Sequence, residues 1–564
     1  EDGPSGTKGP GNMRKSLLGD MFHSNLVYVG PPSDSYAPAD TNEKSEAYFR
    51  KIKRYDYFKT MYENREGRIY VGANDGMLHS FDKDLNLRWS FIPPPILSKL
   101  RGLKGSDPSG TTNGTSNSKF LVDGPIVVKD IYSQQENKWK TILVGSLGWG
   151  GKGYYMLDIS DPRAPNFMAA VENDDKNNRV LTWNRGGEMK VHKYGAGADC
   201  SGCSGMGINN YEWPYSYLGY TLSKPSIVLL PYSWGRHPRS QQRYALVFGA
   251  GYADGGSTNQ GNYVIVADAA KRMTIGGSYA PDGARYPSFK AFDALAWSKV
   301  PLDSASDANH GVAAAVSVVI PDKLGDTESD YYGGIAYFTD LHGQLWKWNL
   351  SRKTLPPYLT TYEHYSQPLR AHDSRAPRGL IATEDLASGD SSMHGLTKLW
   401  RSETTVANDR FGSHQVATTL VDSGAGKYVY NYFGTGDQTH VQTRYTTIDN
   451  RIIGARDIDF PAPTATLSGT DKIASSDGIH KVNLGGAGSS CSSIGAPGWY
   501  GDLNDRFANK MPRATGRILI KNKNLYIPVY TPENKSCPAY GQSTIMVMTN
   551  GCSGSITTID TGTG

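Results

Sequence analysis

The sequence is poor in charged residues and contains no long hydrophobic run. Asp, Glu, Lys and Arg make up 20% of its 564 residues, and the net charge is only +5. Such a small charge, with short basic clusters, argues against a nucleic-acid groove. A membrane helix needs about 18 consecutive apolar residues, and the longest candidate, Gly311–Ile320, has only the length of a strand. We therefore expect no membrane span in this chain and no nucleic-acid partner.

Motifs of common enzyme classes are also missing. The twelve histidines include no His-x-x-x-His pair, which argues against a zinc hydrolase. No Gly-x-Ser-x-Gly motif is present, although a Ser/His/Asp triad built from distant loops stays open. The glycines of Gly148–Gly153 have dinucleotide-motif spacing, but they lead into a strand, which favours a hairpin turn. The sequence thus contains none of these enzyme motifs in a context that supports them.

Only five cysteines occur. Cys537 and Cys552 flank a hairpin-like stretch, and Cys200 and Cys203 lie in a glycine-rich loop, so both pairs are disulfide candidates in an oxidising compartment. Cys491 is then left over. The alternative for Cys200 and Cys203 is half of a zinc site, but no second Cys/His pair at ligand spacing accompanies them.

Turn-forming and aromatic residues are abundant, with 64 Gly, 35 Tyr and 11 Trp. This composition favours an all-β protein. The clearest pattern is Ile335–Leu350, where alternating apolar and polar residues on both sides of Asp-Leu-His-Gly predict a hairpin of half-buried strands. Similar patterns occur at Arg68–Asp82, Thr141–Asp158 and Arg243–Asp268, with weaker copies at Tyr428–Gly434 and Arg517–Tyr530.

Repeated hairpins among further apolar strands predict a modified β-propeller of about seven blades, with six or eight left open. Their spacing of roughly 70 to 100 residues exceeds the usual ~40–45, so long loop insertions are expected near 174–220, 354–400 and 439–498. Residues 1–12 are expected to form a flexible linker at the start of a fragment, and 13–564 a single propeller domain. A charged stretch at 42–63 is expected to be helical.

An acidic segment precedes the Ile335–Leu350 hairpin. Asp326, Glu328 and Asp330 alternate along it, and alternate side chains of a curled loop can face one centre, as in calcium-binding loops. The carbonyl of Tyr332 and the carboxylate of Asp322 are further oxygen candidates. The alternative is a solvated acidic turn.

Loop aromatics form another candidate binding surface. Trp183, Tyr211, Trp213 and the tyrosines of 215–220 are either such a surface or a roof over the blades.

Eight motif segments follow one another along the chain, at Tyr70–His79, Phe91–Pro93, Phe120–Pro125, Leu143–Tyr154, Leu218–Thr221, Asp340–Trp346, Tyr432–Gly436 and Gly498–Leu503. Their order resembles the C-terminal domain of the PilC/PilY family of type IV pilus-associated proteins, and the resemblance covers nearly the whole chain.

The resemblance also implies a calcium site. Family members carry Asp-x-Asp-x-Asp-Gly-x-x-Asp just before an Asp-Leu-x-Gly-x-Leu-Trp hairpin, and this pattern falls on Asp326, Glu328 and Asp330. The chain departs from it at Tyr331, where the pattern has glycine, and at Gly334, where it has the last carboxylate. The Arg-Gly-Asp tripeptide of some relatives is absent.

The function that the resemblance implies is a non-enzymatic pilus biogenesis factor that opposes retraction and contributes, as a pilus-tip adhesin, to host-cell attachment, with calcium as a modulator. Expected partners are pilin subunits or minor pilins, the pilus assembly machinery and a host-cell receptor. The expected location is the cell surface, at the outer membrane and pilus tip, after passage through the periplasm. The alternatives are a quinoprotein-like dehydrogenase and a glycan-binding lectin-like propeller.

Overall fold

A computed structural model describes twenty segments of the chain. They are residues 18–35, 45–100, 119–133, 136–194, 214–231, 242–253, 260–269, 294–300, 311–320, 334–350, 396–400, 411–422, 427–437, 448–457, 460, 480–485, 498–507, 511–532, 541–550 and 556–563. Within these segments, no helix is long and apolar enough to cross a membrane.

The first three sheets are built from consecutive antiparallel strands. Sheet one contains β1 (Val27–Val29), β2 (Arg68–Ala73), β3 (Met77–Asp82) and β4 (Leu87–Phe91). Sheet two contains β5 (Ile126–Ser133), β6 (Lys138–Ser146), β7 (Gly153–Asp158), β8 (Asn166–Asp174), β9 (Arg179–Trp183) and β10 (Met189–Lys193). Sheet three contains β11 (Ser226–Pro231), β12 (Gln242–Gly249), β13 (Tyr263–Asp268) and β14 (Ala294–Lys299).

The other three sheets continue this order along the chain. Sheet four contains β15 (Ser317–Val319), β16 (Ile335–Thr339), β17 (Leu345–Asn349) and β18 (Leu396–Trp400). Sheet five contains β19 (Ala417–Asp422), β20 (Lys427–Gly434), β21 (Arg451–Asp457), β22 (His480–Lys481) and β23 (Gly498–Asp502), with β22 parallel to β23. Sheet six contains β24 (Arg513–Ala514), β25 (Leu519–Lys521), β26 (Asn524–Pro532), β27 (Gly541–Thr549) and β28 (Thr557–Thr563).

The predicted all-β propeller is confirmed. The described residues form six sheets, a number inside the expected range of six to eight. First strands of successive sheets contact one another, from β1 to β5, β11, β15 and β19. The predicted hairpins at Arg68–Asp82 and Ile335–Leu350 are the pairs β2–β3 and β16–β17.

The expectation of half-buried strands in the Ile335–Leu350 hairpin is wrong. Every residue of β16 is buried, because neighbouring sheets cover both of its faces. Ala336 and Phe338 pack into the core shared with sheet three, whereas Ile335 and Tyr337 pack into the core shared with sheet five. Stacked sheets therefore bury both side-chain rows of a central strand.

Some described strands lie in the stretches expected as insertions. β9 and β10 fall within 174–220 and extend sheet two to six strands, and β21 falls within 439–498. β18 ends the 354–400 stretch, of which residues 354–395 lie outside the described residues. The division into a linker and one propeller domain stays a prediction.

Short helices occupy the expected helical stretch. α1 (Glu46–Ile52) and α2 (Tyr55–Met61) join β1 to β2, and α3 (Asn504–Phe507) follows β23. Ser45 caps α1, because its hydroxyl accepts a hydrogen bond from the Tyr48 amide. Single 3-10 turns lie at Pro94–Ile96, Asp175–Asn177 and Pro214–Tyr217.

Side chains hold α1 and α2 against sheets two and three. The Tyr55 hydroxyl donates to Asp130 of β5 at 2.5 Å, and the Tyr244 hydroxyl of β12 donates to Glu46 at 2.9 Å. Phe49, Tyr55 and Phe58 belong to the same buried cluster as Tyr244. The helices therefore join two neighbouring sheets.

Antiparallel pairing gives the propeller two different faces. Turns between second and third strands lie on one face, here called the turn face, together with the segments that lead to the next sheet, here called crossing segments. Connections between first and second strands, and between third and fourth strands, lie on the opposite face, here called the loop face.

Hydrogen bonds join each described crossing segment to neighbouring turns. The amide-to-oxygen pairs are Leu121 to the Asn74 side chain, Asp123 to Leu147, Thr221 to Gly151, Tyr220 to Tyr252, Gly251 to Val312, Leu341 to Gly311, Gly412 to Asp340, Gly436 to Phe411 and Ala514 to Thr435. Together they form a ladder that links sheets one to six along the turn face. The backbones of the ladder lie so close together at Gly251 that a Cβ there would be 2.0 Å from the Tyr220 carbonyl oxygen. The φ angle of Gly251 is +100°, which also favours glycine.

His414 lies in the crossing segment between sheets four and five. Its Nε2 atom is enclosed and has no hydrogen-bond partner among the described residues. Burial lowers the pKa of His414 to about 4. Protonation therefore favours unfolding, because the unfolded chain binds the proton more tightly.

We expect the free energy of unfolding to fall as the pH drops from about 6.5, the unfolded-state pKa of histidine, to about 4, the folded-state pKa of His414. The stabilising contribution is complete above the first value and is lost as the pH falls through the second. The loss from this residue amounts to roughly 3 kcal/mol. Denaturant unfolding between pH 7.5 and 4 should show a smaller decline for His414→Leu than for wild type. Identical pH curves for wild type and His414→Leu would contradict the assignment.

Candidate functional site

All the predicted calcium ligands, Asp322, Asp326, Glu328, Asp330 and Tyr332, lie outside the described residues. What the structure does describe is the base of their segment, on the loop face. Residues 321–333 connect β15 to β16, and these strands pair so that Val319 lies opposite Ile335. Strand pairing therefore brings the two ends of the acidic segment together.

Gly334 explains one departure from the family's calcium pattern. Its carbonyl accepts a hydrogen bond from the Leu350 amide at 2.8 Å, so the residue belongs to sheet four. A Cβ at this position would lie 2.8 Å from Cγ1 of Val318. A closing carboxylate at 334 would therefore crowd the sheet.

The donor chemistry of that segment fits calcium, because hard cations take carboxylate and carbonyl oxygens. Three alternating carboxylates, a further aspartate and the Tyr332 carbonyl supply such a set. In the described parts of the chain, no group of three or more His, Cys, Asp or Glu side chains could hold a metal ion.

The predicted disulfide cysteines, Cys200, Cys203, Cys537 and Cys552, also lie outside the described residues, as does Cys491. Their pairing stays a prediction.

The Ile335–Leu350 hairpin carries a buried ion pair at the junction with sheet five. Lys347 Nζ of β17 lies 2.6 Å from Asp457 Oδ2 of β21, and both side chains are completely buried. The Tyr337 hydroxyl of β16 donates to the same oxygen at 2.6 Å. Burial, reinforced by the Asp457 charge, raises the pKa of Tyr337, so this phenol remains a donor.

Asp340 organises the turn of this hairpin. Its Oδ1 accepts hydrogen bonds from the amides of His342 and Gln344, and its Oδ2 accepts one from Trp346 Nε1 at 2.8 Å. Asp75 has a comparable place in the β2–β3 turn, where it binds His79 Nε2 at 3.0 Å. Both carboxylates serve the local fold, as aspartates commonly do in turns.

Three aromatic rings meet on the turn face, between sheets two and three. The centroid of the Trp149 ring lies 5.3 Å from that of Tyr220 and 5.0 Å from that of Tyr252. Trp149 belongs to the β6–β7 turn, Tyr220 to the next crossing segment and Tyr252 to the β12–β13 connection. All three remain partly exposed. These three residues are called the aromatic cluster below.

Isolated backbone bridges fix the aromatic cluster in place. Gly148 pairs with Thr221, and Tyr220 pairs with Tyr252. Thr221 is completely buried, and its hydroxyl donates to the Gly153 carbonyl at 2.8 Å. The rings therefore project from a backbone that is held on several sides.

A polar trio borders the aromatic cluster. Lys152 Nζ lies 2.6 Å from Asp175 Oδ2, 2.8 Å from Gln260 Oε1 and 5.5 Å from the Tyr220 ring centroid. Gln260 Nε2 donates to Asp175 Oδ2 at 3.2 Å. Burial acts to raise the pKa of Asp175, but the hydrogen bonds from Lys152 and Gln260 outweigh it and lower the pKa, so the carboxylate stays ionised.

The aromatic cluster was not singled out from the sequence. Trp149 counted only as part of a glycine-rich turn, Tyr220 was one of many loop aromatics, and Tyr252 was overlooked. A usable signal exists, because each ring directly follows a glycine, at Gly148, Gly219 and Gly251. Glycine lets neighbouring backbones approach closely, and close approach is what brings these three segments together.

Comparison with known proteins gives a consistent result. Residues 18–192 match the family model described as the PilY1 beta-propeller domain. The protein named type IV pilus biogenesis factor PilY1 from Pseudomonas aeruginosa is 25% identical over 545 residues, which cover 93% of this chain and 38% of that protein. A protein from Xylella fastidiosa named as a PilY1 homolog is 34% identical over 156 residues, which cover 27% of this chain and 12% of that protein.

A solved structure agrees with the fold. The crystal structure of the Pseudomonas aeruginosa PilY1 C-terminal domain matches with a TM-score of 0.50 at 18% identity, covering 89% of this chain and 82% of that one. The chain spans 38% of the length of the Pseudomonas relative described above.

Replacing Lys347 with Met should destabilise the protein by about 3–5 kcal/mol, because Asp457 would be left buried without its counter-ion. Lys481→Met is the matched control. Lys481 also pairs with an aspartate, Asp502 at 2.7 Å, but it is half exposed, so its loss should cost no more than about 1 kcal/mol. Chemical denaturation at neutral pH measures both variants, and equal effects would show that the buried pair has no special weight.

Proposed function

Given that this chain is a homologue of the PilY1 C-terminal domain, as the resemblance to the PilC/PilY family predicts, we propose that it acts in type IV pilus biogenesis by binding and not by catalysis. The observation that carries this proposal is the likeness to a named pilus biogenesis factor along 93% of the chain, together with the shared propeller fold. Its role is to oppose pilus retraction.

The partners that follow from this role are pilin subunits or minor pilins and the pilus assembly machinery. The protein acts at the cell surface, at the outer membrane and the pilus tip, and contributes there to host-cell attachment through a receptor. Propellers bind partners through the loops at their faces, and both faces of this one carry connections of many lengths.

Calcium modulates the loop face in this proposal. Asp322, Asp326, Glu328 and Asp330 supply carboxylates, and Tyr332 supplies a backbone carbonyl. The pairing of Val319 with Ile335 supports the idea, because it closes the loop before any ion arrives and lowers the entropy cost of assembling the ligands. A bound calcium ion supplies positive charge that offsets repulsion among the carboxylates.

A calcium titration tests the site directly. Isothermal titration of chelator-treated protein should give a binding heat in wild type and an affinity weakened about tenfold or more in Asp326→Asn and Asp330→Asn, since each loses a charged ligand. The control is Asp161→Asn, the same substitution at an exposed aspartate in the β7–β8 connection, which should bind calcium as wild type does. Absence of heat in wild type, or unchanged affinity in both site variants, would remove the site.

Pilus number tests the biogenesis role independently. Cells in which the gene for this protein is deleted should carry almost no surface pili, because retraction is then unopposed. Disabling retraction in the same cells should restore the pili. Re-expression of the full-length protein, either wild type or Asp161→Asn, should also restore them. Pili are counted by electron microscopy and by shearing. Normal piliation in the deletion strain, or failure of the retraction defect to restore pili, would contradict the proposal.

One measurement distinguishes the proposed binding role from the enzymatic alternative, a quinoprotein-like dehydrogenase. Adding pyrroloquinoline quinone and calcium to the purified protein should leave the absorbance equal to the sum of the components. A new cofactor band that persists after gel filtration would favour the dehydrogenase.

A further inference from the structure

We infer that the aromatic cluster and the polar trio beside it form a binding subsite for a neutral carbohydrate, a hexopyranoside. This inference deepens the attachment part of the proposed function by naming a ligand class, and it rests on that function only for its biological meaning. The subsite consists of Trp149, Tyr220 and Tyr252 with Lys152, Asp175 and Gln260.

Exposure sets these rings apart from purely structural aromatics nearby. Tyr217 and Tyr263 stack at 3.8 Å, and only 8% and 6% of their surfaces remain exposed. The three residues of the aromatic cluster are more exposed than this pair. An aromatic face held at the surface offers an apolar platform, which suits the C–H face of a sugar ring.

The polar trio supplies the second half of such a site. A hexopyranoside presents hydroxyl groups around its rim, each both a donor and an acceptor. Lys152 contributes an ammonium, Gln260 an amide and Asp175 a carboxylate, which has acceptor capacity for more than its two hydrogen bonds. Convergent polar groups beside an apolar surface are the usual composition of a ligand site.

Charge favours a neutral ligand. The Lys152 ammonium lies 2.6 Å from the Asp175 carboxylate, so the trio carries no net charge. A sialylated or phosphorylated sugar would find no uncompensated cation in the trio, and its negative charge would lie close to Asp175. Neutral hexosides avoid this repulsion.

Ring spacing argues against a cage for an organic cation. An ammonium group has to fit between the faces of the rings, whereas the rings of Trp149, Tyr220 and Tyr252 contact one another at about 5 Å. Lys152 already lies over the Tyr220 ring and occupies the cation position there, so Trp149 and Tyr252 supply the apolar surface for a sugar. The geometry is that of a platform.

The subsite is organised before binding. The bridges from Gly148 to Thr221 and from Tyr220 to Tyr252 fix the segments that carry the rings, and the trio is held by its own hydrogen bonds. Little conformational freedom is then lost when a sugar docks. A single hexoside in such a site should bind with a Kd on the order of 1 mM.

Saturation-transfer difference NMR of the purified chain tests the subsite, with methyl glycosides of glucose, galactose, mannose and N-acetylglucosamine as probes. We expect transfer to at least one of them, with Kd measured by titration. Trp149→Ala should weaken that binding about tenfold or more by removing the platform, and Gln260→Ala should weaken it similarly. Trp149→Phe, which keeps an aromatic face, should retain most of it.

Phe120→Ala is the matched control, because Phe120 is another exposed aromatic of the turn face, 45% exposed, outside the subsite. It should bind as wild type does. Circular dichroism confirms folding of each variant, and Gln260→Ala decides the outcome if Trp149→Ala does not fold. Absence of transfer to all four glycosides, or equal binding by wild type and both Ala variants, overturns the inference. Sugar binding is measured on purified protein and pilus number in cells, so failure of one leaves the other readable.

Discussion

The hydrogen-bond ladder along the turn face is the constraint on which the other features of this structure depend. Each crossing segment bonds to the turn of the sheet it leaves, to that of the sheet it enters, or to both. Backbone groups in irregular segments would otherwise lose water without gaining partners, which is costly. The ladder satisfies them and fixes how each sheet follows the next.

Close backbone approach along the ladder has a chemical consequence. Gly412, for example, lies so near the Asp340 carbonyl that a Cβ would be 2.7 Å from its oxygen. Main chain occupies the room that side chains would fill at these glycines, and Trp149, Tyr220 and Tyr252 of the aromatic cluster stay partly exposed beside it. Within the β16–β17 hairpin, stacking of sheets encloses Lys347 and Asp457, and their pairing, together with the hydrogen bond from Tyr337, offsets the cost of burying the two charges.

Sequence patterns predicted the fold better than the site. Alternation around turns that contain aspartate and glycine located β2–β3 and β16–β17, because these signals are local and each hairpin is continuous in the chain. They did not predict burial on both faces of β16, which depends on neighbouring sheets. Trp149 and Tyr252 meet across about a hundred residues of chain, and no local pattern encodes that meeting. The acidic segment was found from residue spacing alone, and the structure adds the pairing at its base.

Strands pair directly at the bases of the loop-face connections, so the stability of a sheet depends little on the length of the connection. Leu396 pairs with Trp348 although 47 positions separate them in the numbering, and Ile335 pairs with Val319 across 321–333. Loop-closure entropy grows only with the logarithm of length, by about 0.6 kcal/mol per doubling. Insertions and deletions on this face therefore cost the fold little, and the connections there can vary in length while the opposite face keeps its shape.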